Sequence, residues 1–436
     1  LTLSQTTDAW LDNANRVFTA VVVVPSAATA ASPAPLRVDL HGAGGAPNAS
    51  AGCGSLFTIS PHDPLDSYWW GYGEKLSGSI PVTSGKVFPY TARRVLHLMG
   101  HVLAKYPGAD PERVFISGGS MGGAGAKTIG LLWARHFAGV QTSIGQAIPR
   151  NHRPSRLKQL STLWGSPAAN LLDDSDTSTW DHMDLTRALR DDPEARDQFV
   201  STKHGKDDPT IHFGAMVIKS ALTGLSFYDT LQEHHVGHLA IWDEGAHGPA
   251  DPVLGNSWWD NGWNRISDAT AFLRRDRPFP AFSNSPLDDD AGDGKGNGKQ
   301  PWNAESGYAG VLATAGDTGW NGRLAGAHNR YFRWDTTAAV DTRETLELKL
   351  SVKSGSGSPP PSNEYPPKGD LLTEELPVKV DVTPRRVRDF QMIPGEIVRW
   401  ELGELKGEAT AGADGSVTVA QLPLSAEWQT LKLTRK

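Results

Sequence analysis

Cysteine is almost missing from this chain. Cys53 is the single one among 436 residues, which excludes an internal disulfide. Long apolar runs are missing as well. The longest, 18–24, is far short of the ~20 residues that a membrane-spanning helix needs, and it reads as a strand. Basic residues are outnumbered, 42 Lys and Arg against 49 Asp and Glu. The net charge of −7 and the lack of a dense basic patch argue against nucleic acid as a partner. The chain begins at Leu1 with neither an initiator methionine nor a signal-peptide pattern, so a removed leader or a trimmed chain is expected. No internal repeat stands out.

The length predicts two domains. Over 1–278 short apolar strands alternate with helical stretches. Strands are expected at 17–24, 36–40, 114–117 and 239–242, and helices at 90–106, 122–137 and 266–273. In the first helix Val95, Leu98, Met99, Val102 and Leu103 fall on one face. Such alternation implies an α/β architecture, a mostly parallel sheet with helices on both faces. Residues 151–196 read as an insertion that serves as a lid or cap, with Trp164, Trp180 and many charges.

The texture then changes. Residues 279–300 form an acidic, Gly-rich linker, and 301–436 read as a β-sandwich-like accessory domain. Its strands are expected at 345–352, 377–382, 397–402, 416–419 and 430–433, with a flexible loop at 354–368. Asp288, Asp289, Asp290, Asp293 and Asn297 invite a calcium site, but Gly292 stands where the third ligand belongs. A solvated linker fits better, and no metal or cofactor is expected.

The chemistry starts at Gly118-Gly119-Ser120-Met121-Gly122, directly after an apolar strand. A G-x-S-x-G turn presents one hydroxyl at its tip, between strand and helix. A phosphate loop would want its Lys-Thr right after the last glycine, and Lys127-Thr128 lies too deep in the helix for that. A serine nucleophile needs a base, and the base needs an acid. Asp208 in His204-Gly205-Lys206-Asp207-Asp208-Pro209 is the expected acid, with Asp207 its rival. His247, in Glu244-Gly245-Ala246-His247-Gly248 after the strand at 239–242, is the expected base. His234, His235 and His238 precede or begin that strand, at the wrong end to meet Ser120. The turn His41-Gly42-Ala43-Gly44-Gly45 after the strand at 36–40 predicts an oxyanion hole, with the N–H groups of Ala43 and Met121 as donors. His41 orders that loop. Trp69, Trp70 and Trp258 lie in aromatic segments that leave the sheet near the same edge and are expected to line the substrate.

The order of these segments, with the Asp110-Pro111-Glu112-Arg113-Val114 lead-in to the serine turn, resembles the α/β-hydrolase superfamily. Within it, the lead-in is similar to secreted polyhydroxybutyrate-depolymerase-like and feruloyl-esterase-like enzymes. The resemblance covers about 15–277. It implies a serine esterase acting on a polymeric, carbohydrate-linked or aromatic ester. The chain departs from the depolymerase pattern in lacking its disulfide cysteines. With 15 tryptophans, 46 glycines and 30 prolines, the composition fits an extracellular or periplasmic, bacterial-type enzyme. The alternatives are a peptidase on the same scaffold and a hydrolase-like binding protein without activity.

Overall fold

Residues 17–23 form a strand because the segment is rich in β-branched valine and threonine, which suit an extended backbone. In β2 (Val17–Val23) Phe18, Ala20 and Val22 are buried and their neighbours are not. The computed structural model describes residues 1–7, 15–48, 55–76, 80–206, 208–243, 246–247, 273–295, 320–323, 325–353 and 375–436. Before β2 comes β1 (Thr2–Thr6). After it come β3 (Ala34–Leu40), β4 (Phe57–Pro61), the short β5 (Tyr72–Gly73) and β6 (Val87–Phe88), β7 (Ala109–Gly119), β8 (Gly139–Ser143), β9 (Phe199–Gly205) and β10 (Gly237–Asp243). The second part of the chain supplies β11 (Phe279–Ser283), β12 (Gly326–His328), β13 (Phe332–Asp341), β14 (Thr345–Val352), β15 (Val378–Arg385), β16 (Ile397–Leu402), β17 (Leu405–Thr410), β18 (Val419–Leu424) and β19 (Gln429–Arg435). The helices are α1 (Tyr90–Lys105), α2 (Met121–Leu132), α3 (Pro154–Trp164), α4 (Thr179–His182), α5 (Leu185–Asp191), α6 (Pro193–Arg196), α7 (Gly214–Val217) and α8 (Phe227–Glu233).

The nine-stranded central sheet runs β1-β2-β4-β3-β7-β8-β9-β10-β12. From β4 to β10 neighbouring strands are parallel, and only the outer strands pair antiparallel. This is the mostly parallel sheet with flanking helices that the strand–helix alternation implies. In such a sheet, loops that position reactive groups gather at the carboxyl ends of the strands.

The far end of the sheet is covered differently on its two sides. Val200, Ala240 and Trp242 pack with Leu185, Phe227 and Tyr228 from the helices. Their alternating neighbours Phe199, Leu239 and Ile241 pack with Phe279, Phe282, Trp334 and Leu348. Strands of the second part therefore complete the core of the first. They form a three-stranded sheet, β11-β15-β18, and a five-stranded one, β13-β14-β19-β16-β17.

Several expectations need correction. The stretch 279–300 is not a solvated linker over its described part. It begins with β11, paired antiparallel to β15. Asp288 accepts from Asn329 N at 2.7 Å and from Gln232 Nε2 at 2.7 Å, and Asp289 accepts from Ala327 N at 2.9 Å. These carboxylates tie the acidic run to α8, to β12 and to the residue that follows β12. Asn297 lies outside the described residues. Within 151–196, Leu160, Trp164 and Trp180 belong to one core cluster and Leu185 and Leu189 to another, so these side chains are packed rather than poised above a site. The strand expected at 416–419 starts at Val419, because a turn closed by Gly412 N to Ser416 O occupies the preceding residues. The helix expected at 266–273, Leu273 apart, and the loop at 354–368 lie outside the described residues.

Candidate active site

Ser120 stands alone between β7 and α2, with φ +58° and ψ −125°. Positive φ is uncommon for a side chain with a Cβ, and such a backbone costs about 1–3 kcal/mol. The turn is held at both ends. Ser120 N donates to Ser143 O at 2.9 Å, and Ala124 N donates to Ser120 O at 2.9 Å. Two glycines make it sterically possible. A Cβ on Gly118 would lie 2.4 Å from the Gly122 backbone, and one on Gly122 would lie 1.9 Å from Leu40 O.

Asp208 follows β9 and is fully buried. Its Oδ1 accepts from Thr210 N at 2.7 Å and Ile211 N at 2.9 Å. Both its oxygens lie 2.9 Å from His247 Nδ1, and His247 Nε2 lies 2.8 Å from Ser120 Oγ. With Nδ1–H donating to the carboxylate, Nε2 is left to accept from the serine hydroxyl. The three side chains are thus brought together in the order serine, imidazole, carboxylate. Asp207 lies outside the described residues.

All seven residues of β9 are buried although the segment is weakly apolar. Sequence reasoning missed the reason. His204 Nε2 donates to Ile211 O at 2.7 Å, tying the strand to the loop that carries Asp208. Burial holds the His204 pKa down to about 4, so it is neutral and suited to that single donation. A histidine four residues before an aspartate was the available signal.

The loop after β3 lies alongside the serine. A Cβ on Gly42 would be 3.6 Å from Ser120 Cβ. Gly45 N donates to Gly42 O at 3.0 Å, and Gly44, at φ +67°, donates to Asp66 Oδ1 at 2.8 Å. His41 donates from Nδ1 to Gly42 O at 2.7 Å and accepts at Nε2 from Asp63 N at 3.0 Å. Both ring nitrogens are therefore committed to the loop backbone. Ala43 sits at the head of this turn. The N–H of Met121, at the first position of α2, has no acceptor within its own helix.

Trp69 and Trp70 do not line a substrate surface. They are 0% and 1% exposed. Trp69 lies over Gly125, its ring is 4.8 Å from that of His41, and its Nε1 donates to His41 O at 3.0 Å. Trp70 packs between Trp133 and His182. Large rings next to a glycine-rich helix fill space that small residues leave open. Trp258 lies outside the described residues.

Lys127, on α2 beneath the serine, is fully buried, and its Nζ donates to Gly145 O at 2.7 Å. Burial lowers its pKa to about 7. His234 and His235 lie before β10, where His235 Nδ1 is 2.7 Å from Ser283 Oγ. Among the described residues no group of His, Cys, Asp and Glu is arranged to hold a metal ion, and no helix is long and apolar enough to cross a membrane.

No protein-family profile and no curated protein matches the chain. Solved structures resemble it in part. An S-formylglutathione hydrolase from Agrobacterium tumefaciens is 18% identical with a TM-score of 0.39, over 57% of this chain and 87% of that one. The fluorophosphonate-binding serine hydrolase FphF of Staphylococcus aureus is 18% identical with a TM-score of 0.41, over 62% of this chain and 98% of that one. A ferulic acid esterase is 16% identical with a TM-score of 0.36, over 57% of this chain and 91% of that one.

Proposed function

We propose that this protein is a serine hydrolase that cleaves carboxylic esters through an acyl-enzyme on Ser120. The observation that carries the reading is the 2.8 Å approach of His247 Nε2 to Ser120 Oγ, with Asp208 behind the ring at 2.9 Å. In this reading Ser120 Oγ attacks the ester carbonyl while His247 Nε2 takes its proton. The proton then passes to the leaving alkoxide as the carbonyl–oxygen bond breaks. Asp208 holds the imidazole and stabilises its cationic form. The N–H groups of Met121 and Ala43 are the oxyanion donors, each worth about 3 kcal/mol of barrier. Water, deprotonated by His247, then releases the acid. No cofactor enters the cycle.

A fluorophosphonate probe tests the nucleophile. Labelling of the wild type and none of Ser120→Ala is expected, and an unlabelled wild type would leave a binding protein instead. Matched 4-nitrophenyl esters and anilides separate esterase from peptidase, the esters being the expected substrates. Burial of Trp69 and Trp70 takes both rings out of the substrate-lining role, so a polymeric, carbohydrate-linked or aromatic ester rests on the resemblance alone. We read the location as extracellular or periplasmic on composition; detection of the native protein in culture supernatant is the corresponding test.

A further inference from the structure

Chain leaving the carboxyl end of β8 carries polar groups that the fold leaves unused. Gln146 is 2% exposed, and neither atom of its amide has a partner among the described residues. His152 is 5% exposed; its Nδ1 accepts from Arg153 N at 2.9 Å while Nε2 is unpartnered. Arg153 and Arg156, half-buried at the start of α3, each have an unpartnered Nε. Neither guanidinium is within ion-pair distance of a carboxylate among the described residues. Arg156 reaches only the Gln159 side chain and, at 3.3 Å, Thr210 O. In a chain with more acids than bases, two neighbouring arginines without a counter-ion among the described residues are conspicuous.

Their position ties them to the serine. Thr210, whose carbonyl Arg156 touches, donates its N–H to Asp208. Arg156 lies 5.8 Å from the ring centre of Tyr68. The charges of Arg156 and Arg153 and those of Asp66 and Asp208 all act on the buried Tyr68 hydroxyl, the arginines lowering its pKa and the carboxylates raising it. Asp66 in turn anchors the Gly44 turn beside Ser120. Arg156 thus touches the loop that carries Asp208, and both arginines act on Tyr68, two residues from the Asp66 that holds the Gly44 turn.

We infer that the ester substrate carries a carboxylate, held by the Arg153 and Arg156 guanidiniums beside Ser120. The inference rests on the esterase reading above. A guanidinium offers a planar fork that matches a carboxylate, and a half-buried fork with no carboxylate partner among the described residues gains more from one than an exposed, ion-paired arginine does.

The test compares mono-4-nitrophenyl adipate with its methyl ester, and 4-carboxyphenyl acetate with phenyl acetate, so the charge is placed on either side of the ester. In at least one pair the wild type is expected to favour the anion by about tenfold in kcat/KM at low salt, the preference shrinking with added salt. Arg153→Gln and Arg156→Gln each lower that ratio toward one, Arg156→Lys restores part of it, and Arg190→Gln, an arginine already paired with Asp191, leaves it at the wild-type value. A ratio near one in both pairs, or a ratio that survives both glutamine variants, overturns the inference. Should no ester turn over, calorimetry with adipate decides the matter: saturable binding lost in Arg153→Gln supports it, and no binding overturns it. Failure of the esterase reading is registered separately, by absent fluorophosphonate labelling.

Discussion

His247 Nε2 lies 2.8 Å from Ser120 Oγ, across 127 residues of chain. Replacing His247 with alanine removes the only base in reach of that hydroxyl among the described residues. Ester turnover should fall by roughly four to six orders of magnitude, with the melting temperature nearly unchanged. His235→Ala should alter turnover by about twofold at most, since His235 serves Ser283 at the other end of β10. Equal losses in the two variants would mean that another histidine is the base. Steady-state kinetics on a 4-nitrophenyl ester is sufficient.

Gly122→Ala would place a methyl group 1.9 Å from Leu40 O, a backbone atom that cannot swing aside. The strand β3 and the glycine turn that follows it must shift, and a loss of several kcal/mol in stability is expected, in the upper range for point substitutions. Urea denaturation measures it. A variant with wild-type stability and labelling would show that β3 and α2 are not locked together.

Trp69→Phe keeps most of the buried ring but deletes the indole N–H that holds His41 O. The consequence should be a fall in kcat of roughly tenfold with KM little changed, because a loosened donor loop weakens transition-state binding more than substrate binding. A change confined to KM would restore a substrate-facing role for this residue.

Lys127 sets a pH dependence. Its pKa is about 7 in the folded protein and near the ordinary lysine value in the unfolded chain. Between about pH 7 and 10.5 the unfolded chain therefore binds the extra proton, and stability rises with pH by up to ~1.4 kcal/mol per unit. Below pH 7 both states are charged and the burial penalty is constant. Wild type minus Lys127→Met should accordingly become more favourable from pH 7 to 10 in chemical denaturation. A flat difference would mean that the ammonium is not desolvated.

The serine turn was legible because its determinants are local. Gly118, Ser120 and Gly122 sit within five residues; Gly118 is needed for a contact the turn itself creates, whereas Gly122 is needed for the close approach of Leu40 on β3, which the motif alone does not show. The acid and base could be ranked by position after expected strands, although β9 hides polar residues such as Thr202 and His204 in its interior. What sequence could not reveal is the side toward which a ring turns. Trp69 and Trp70 read as a wall because aromatic mass is visible in sequence and burial direction is not. The coupling of the two parts of the chain was equally hidden, because the partners of Leu239 and Ile241 lie far along the chain, in residues whose own alternation is satisfied by a sandwich.

That coupling predicts the outcome of cutting the chain after residue 278. Phe199, Leu239 and Ile241 would lose their apolar cover, and the fragment should be insoluble or bind a hydrophobic dye rather than fold as a free hydrolase. In the intact protein Phe282→Ala, which breaks a ring stack on Phe332 at 4.7 Å, should cost about 3–5 kcal/mol.

The edge strand β12 has a consequence for biosynthesis. The open flank of β10 receives its partner only when residues 326–328 have been made, roughly 80 residues after β10 itself. Until then β10 offers an unpaired strand edge of the kind that recruits other chains. Completion of the sheet is thus necessarily a late event, and a nascent chain in transit needs that flank shielded until its own C-terminal portion arrives.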